Sequence, residues 1–144
     1  MAKSPNLIDV TLTDYRALAQ FRYELRRYFS LSDQAARSAG LQPGHYRLLL
    51  LLKGLPEGME PTIGAVAERL GLRHHSTVEL VDRMEKRRLI QRERSERHRS
   101  FVFVRITPKG ESILRKLVAS RKAELRKAAP ILVKALNTLL KKRM

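Results

Sequence analysis

The sequence contains no cysteine, which removes disulfide bonds, thiol catalysis and cysteine-based redox sensing together. Its 14 acidic residues are scattered, without the close pair that a carboxylate dyad requires. No glycine-rich phosphate loop occurs, no nucleophile is paired with a base, and no cluster has metal-ligand spacing. An enzyme is therefore not expected, and neither is a cofactor. Apolar runs are short: the longest, Leu48 to Leu52, is far below the roughly 18 residues a membrane helix needs. With no signal peptide visible, the expectation is a cytoplasmic protein without a membrane partner. Internal repeats and low-complexity tracts are also missing.

Positive charge is what the chain has in excess. Thirty Lys and Arg residues give a net charge of +16 on 144 residues, and such a balance favours an anionic partner, nucleic acid before membrane surface or acidic protein. The charge is concentrated in blocks: residues 83–105 carry nine basic residues against three acidic, and residues 109–144 carry eleven against two. Hydrophobic content of 43% is that of an ordinary folded protein, and the length fits one domain, here taken as residues 1–144.

The stretch Thr62 to Ile106 carries the main signal. Thr62 is placed to cap a short helix whose stripe is Ile63, Val66, Ala67 and Leu70, and Gly71 supplies the left-handed turn that stops it. Periodicity resumes at Arg73 through Val78, Val81, Met84 and Glu85, with Leu89 and Ile90 closing the second helix. The small Ala67 lets the two helices cross closely. Left on the outer face are Arg73, His74, His75, Ser76, Glu79, Arg83 and Arg87, mostly donors and mostly in the first two turns. A helix pair of this kind can present its second member to a DNA major groove. We count Thr77 with Arg73, His74, His75, Ser76, Glu79 and Arg83 as candidate contacts to double-stranded DNA. Residues Phe101 to Ile106 alternate, with Val102, Val104 and Ile106 on one face, and so read as a strand paired with Gln91–Arg94. The tip between them offers Arg94, Arg97, His98 and Arg99 to phosphates or a minor groove.

At this point the chain resembles a known family. The runs Ala67-Glu68-Arg69-Leu70-Gly71-Leu72, Leu80-Val81-Asp82-Arg83-Met84-Glu85 and Ile106-Thr107-Pro108-Lys109-Gly110 are similar to those of the MarR (multiple antibiotic resistance regulator) family, in order and spacing, from about Leu12 to Leu140. The resemblance implies a winged helix-turn-helix: mainly α with a small β-hairpin wing, a DNA-binding unit at about 43–106, and dimerisation helices at about 12–40 and 107–142. It also implies a homodimer on a pseudo-palindromic operator, released in many members by a small anionic or phenolic ligand. The missing cysteine sets the chain apart from the peroxide-sensing branch. Two departures stand out. The wing's frequent Asp-x-Arg is here His98 and Ser100, and Arg88 stands where glycine is common.

The flanking segments read as helices. Met1 to Leu12 is an arm; Thr13 or Asp14 caps a helix to about Ala39, with Leu18, Phe21, Leu25, Tyr28 and Phe29 as its stripe. Gln42-Pro43 opens another, whose five leucines are expected to be buried on all sides. Thr107 caps a helix running to about Ala129; Pro130 is expected to break it before a last helix from Ile131 to Leu140. The surplus apolar surface of these outer helices is assigned to a dimer interface, the other reading being that they fold back over their own core. The resemblance also implies a small-molecule pocket between the dimer helices and the DNA-binding unit, where Arg22, His45, Tyr46 and Arg47 are the candidates for holding an anion; equally, Tyr46 is core and Arg47 surface. The four histidines, His45, His74, His75 and His98, make a poor metal set, and no metal is expected. The leading function is a sequence-specific transcriptional regulator, a repressor released by a small ligand. The alternative is a basic architectural DNA binder indifferent to sequence.

Overall fold

Single side chains set where most of the helices of this chain begin. They are seen directly in the computed structural model, which describes residues 7–97 and 101–141. After a 3₁₀ turn at Leu7–Asp9, helix α1 runs Leu12–Ser38. Its cap is Thr11, not Thr13 or Asp14. The Thr11 N–H donates to Asp14 Oδ2 (3.0 Å), and the Asp14 N–H donates back to Thr11 Oγ1 (3.4 Å). This reciprocal pair satisfies two amides that a helix end otherwise leaves bare. Helix α2 spans Pro43–Lys53, with proline in the first turn where its missing N–H costs nothing. Helix α3, Ile63–Leu70, starts at Thr62, whose Oγ1 accepts from the Ala65 N–H (3.2 Å).

Helix α4, His74–Lys86, follows at once. Leu89 and Ile90 do not close it: Leu89 lies in the turn and Ile90 opens strand β1, Ile90–Arg94. Strand β2, Val102–Ile106, pairs antiparallel with it in the register Ile90 with Ile106, Arg92 with Val104 and Arg94 with Val102. Thr107 then caps α5, its Oγ1 accepting from the Gly110 N–H (3.1 Å). Helix α5 runs Pro108–Leu140 without a break, straight through Pro130. Proline removes one backbone bond at a cost of about 3 kcal/mol, but the chain on both sides remains helical, and beyond it Ala135 is buried. The protein is thus mainly α with a two-stranded hairpin, the winged-helix arrangement.

The described residues fall into two compact units, one within the spans Met1–Ser32 and Arg121–Met144, the other within Asp33–Ser120. The second holds the main core. Leu48, Leu49, Val66, Val81, Met84, Leu89, Ile90 and Val104 are all essentially without solvent exposure. Burial of such side chains stabilises by roughly 1.5–3 kcal/mol each, so this cluster dominates the unit. It draws in more chain than residues 43–106. Ala36 and Leu41 join it from one side and Leu114 and Leu117 from the other. The leucine run is not buried all round: Leu48, Leu49 and Leu52 point inward, while Leu50 is 43% exposed. In the first unit, Glu24 and Ala135 are buried, but Tyr15, Leu18, Phe29, Val133 and Leu140 are exposed.

Candidate nucleic-acid interface

The stripe on α4 decides which residues it can offer to a partner. Leu80, Val81 and Met84 are buried, and so is Thr77, at 0% exposure. Thr77 donates its hydroxyl to the Arg73 carbonyl one turn back (2.9 Å). It therefore belongs to the inner face of the helix and is withdrawn from the contact set. The outer face carries His74, His75, Glu79, Arg83 and Lys86, all exposed, with Ser76 half-buried. Arg73 is exposed but precedes the helix as its N-cap residue, without a side-chain cap bond. Arg87, also exposed, stands at the other end.

The wing is tied to this helix by a residue the sequence reading passed over. Arg92 on β1 reaches back to α4, its Nη2 donating to Asp82 Oδ1 (2.6 Å) and its Nη1 to Glu85 Oε1 (2.8 Å). The backbone N–H of Arg92 donates to the second oxygen of the same carboxylate, Glu85 Oε2 (2.9 Å). Burial alone would lower the guanidinium's pKa; the hydrogen bonds and charges of Asp82 and Glu85 outweigh it and raise it. Exposed ion pairs contribute only about 0–1 kcal/mol, and Asp82 and Glu85 remain 51% and 40% exposed. The consequence of this contact is geometric more than energetic. The signal in the sequence was a pair of acids three residues apart, facing an arginine across a tight turn.

On the opposite edge of the hairpin, the Val104 N–H donates to the Pro61 carbonyl (2.8 Å), and Thr62 bridges to Phe103. The outer face carries Arg105, which pairs with Glu93 (3.2 Å) and lies over the Phe103 ring at 5.4 Å from its centre. Arg94 and Arg97 are exposed near the tip and line a cleft of about 290 Å³ together with Glu60, Glu93 and Glu96. His98 and Arg99, the other two wing candidates, lie outside the described residues.

The pocket candidates have different surroundings. His45 and Tyr46 are buried, Tyr46 in the core of the second unit. Arg47 is on the surface in an ion pair with Asp33 (3.1 Å). Arg22 is exposed and belongs to the first unit. His45 instead faces the end of α4, with its Nδ1 3.5 Å from Arg87 Nη1. Burial first, and then the positive charges of Arg87 and Arg83, hold its imidazole below the ordinary pKa. Among the described residues no group of histidines and acids is arranged to hold a metal ion, and no helix is long and apolar enough to cross a membrane.

Comparison with known proteins places these features. A sequence model described as the MarR family matches residues 39–99, the stretch that holds the helix pair and the first strand of the wing. A helix-turn-helix-type transcriptional regulator of Bacillus subtilis (strain 168), YsmB, is 32% identical over 75 residues, 52% of this chain. The match spans about half (51%) of that relative's length. Among solved structures, AbsC of Streptomyces coelicolor, a MarR family transcriptional regulator, superposes with a TM-score of 0.67 at 23% identity, covering 83% of this chain and 80% of its own. A mutant of MepR from S. aureus, bound to an oligodeoxyribonucleotide, superposes with a TM-score of 0.62 at 15% identity, covering 76% and 79%. The family match falls on the helix pair and first strand built above, the fold is that of solved MarR family regulators, and over residues 39–99 the chain is similar to the MarR family.

Proposed function

We propose that the protein is a sequence-specific, double-stranded DNA-binding transcriptional regulator. It acts as a homodimer that lays α4 of each copy into successive major grooves of a pseudo-palindromic site. The observation that carries this reading is the outer face of α4, where Arg73, His74, His75, Glu79, Arg83 and Arg87 are exposed together, next to a wing with exposed Arg94 and Arg97. Donors in the first turns of such a helix reach base edges; cations on the wing neutralise phosphates. The oligodeoxyribonucleotide bound by MepR, which shares the fold, lends support. The dimer is supported by the apolar side chains left in water on α1 and α5, among them Tyr15 at 65% and Leu140 at 75% exposure. A concentration of exposed apolar groups of this kind marks an interaction surface. Two copies would then present half-sites about 10 base pairs apart.

In the full proposal the regulator is a repressor released by a small anionic or phenolic effector. A cavity of about 600 Å³ in the first unit, with Arg16 and Lys134 among its lining residues, supports an anion. The test is binding to a duplex selected by the protein from a random pool and to a mixed-sequence duplex, each across a salt series. Preference for the selected duplex, with affinity falling as salt rises, is expected. Equal binding to both would favour the architectural reading instead, and insensitivity to both sequence and salt would defeat each of them.

A further inference from the structure

We propose that Arg92 is the positioning residue of the interface: by bridging Asp82 and Glu85 it fixes the wing against α4 and so sets sequence preference without touching DNA. The inference rests on the reading of α4 and the wing as a DNA interface, and it adds a role that neither element's exposed face carries.

Three observations converge on it. First, the contact is three-pointed. Two guanidinium nitrogens and the backbone N–H of one residue grip two carboxylates, which restrains both the strand and its side chain. Second, Arg92 pairs with Val104 across the hairpin, and the N–H groups of the two residues point away from each other, one to Glu85 and one to Pro61. The middle rung of the wing is therefore clamped to the body of the unit from both sides. Third, α4 contains three acidic residues, Glu79, Asp82 and Glu85, and Arg92 engages two of them. Both nitrogens named above already face carboxylates, so this arginine is unsuited to gripping a phosphate, unlike the exposed Arg94 and Arg97. A wing held at one angle to the reading helix lets phosphate contacts and base contacts be made in a single register. A wing released from it leaves the phosphate contacts to form with α4 out of alignment.

The experiment compares Arg92→Ala, Arg92→Lys and Glu85→Gln with Arg94→Ala, on the same two duplexes used above. Arg92→Ala is expected to lose about tenfold or more on the selected duplex and less than about twofold on the mixed-sequence one, with the salt slope unchanged. Lysine, which can reach one carboxylate but cannot fork to two, should restore part of the preference. Arg94→Ala should instead weaken both duplexes alike and reduce the salt slope by about one. Equal losses on both duplexes with a reduced slope would make Arg92 an ordinary phosphate contact and overturn the proposal. Unchanged preference would also overturn it. Should Arg92→Ala not fold, Glu85→Gln, at a half-exposed position, carries the same test, with a smaller loss expected in the same direction. A readout without DNA separates the two readings. In the free protein Arg92→Ala should speed amide exchange along β1, and unchanged exchange would refute the clamp. Failure of the wild-type protein to bind any duplex would refute the DNA reading alone.

Discussion

Helices α3 and α4 close through the same pair of backbone bonds, yet with opposite residues at the critical position. At the end of α3 the Leu72 N–H reaches the Ala67 carbonyl (3.0 Å) and the Gly71 N–H reaches Glu68 (3.2 Å). At the end of α4 the Leu89 N–H reaches Met84 (3.1 Å) and the Arg88 N–H reaches Glu85 (2.9 Å). Both turns need a left-handed residue. Gly71 adopts φ 68° without strain, whereas Arg88, the one non-glycine residue with positive φ among those described, sits at φ 60°. For a residue with a Cβ that conformation costs roughly 1–2 kcal/mol. The α4 turn is held from outside. Thr107 donates its hydroxyl to the Arg88 carbonyl (2.7 Å) and its N–H to that of Leu89 (3.1 Å), while Lys109 Nζ donates to that of Arg87 (3.1 Å). One helix end is set by its own residue, the other by the start of α5.

If that distinction is right, the largest effect should come from the outside support. A Cβ on Gly110 would collide with the Leu89 carbonyl oxygen, and both groups are backbone-anchored. Gly110→Ala is expected to cost about 3 kcal/mol in urea unfolding; a loss below about 1 kcal/mol would show that α5 does not press on the turn. Gly71→Ala, at the self-sufficient end, should cost only about 1 kcal/mol, because it adds strain without a clash. Its Cβ would meet nothing within 4 Å. Arg88→Gly should go the other way and stabilise by about 0.5 kcal/mol, strain relief being partly offset by the freedom glycine gains when unfolded. Destabilisation by that change would mean the arginine side chain has a role the backbone does not reveal.

The gentlest probe is pH. His45 lies against Arg87 at this same turn, and its imidazole pKa is lowered by burial and by Arg87 and Arg83. With the folded value below the unfolded value of about 6.5, its contribution is intact above that pH. It is lost as pH falls from there through the folded value, because the unfolded chain takes up the proton first. Thermal melts of wild type and His45→Gln should diverge above pH 6.5 and converge towards acid, with the wild type losing more on the way down. Parallel curves would place His45 outside the energetics of the turn.

Much of this architecture could be read from the chain because its determinants are local. Thr62 and Gly71 act within four residues of themselves, as does the cap that Thr107 places on α5, and the alternation through Val102, Val104 and Ile106 needs no knowledge of the rest. The misreadings have equally physical origins. Thr77, counted among the DNA contacts, continues the stripe of Val81 and Met84 at helical spacing and satisfies its hydroxyl on its own helix. Pro130 was read as a break, but one lost bond does not end a helix of 33 residues. The Arg92 contact and the burial of His45 depend on which turn faces which. Periodicity along one element carries no such information.

Pairing the Arg92 and Val104 amides outward, to Glu85 and Pro61, also bears on a hazard common to small hairpins. A two-stranded ribbon ordinarily leaves two rows of open backbone groups, each a template on which a foreign strand can add and start aggregation. Here the central rung is occupied along both rims before any stranger arrives. The wing can stay narrow and exposed without inviting fibril-like stacking of one copy on the next.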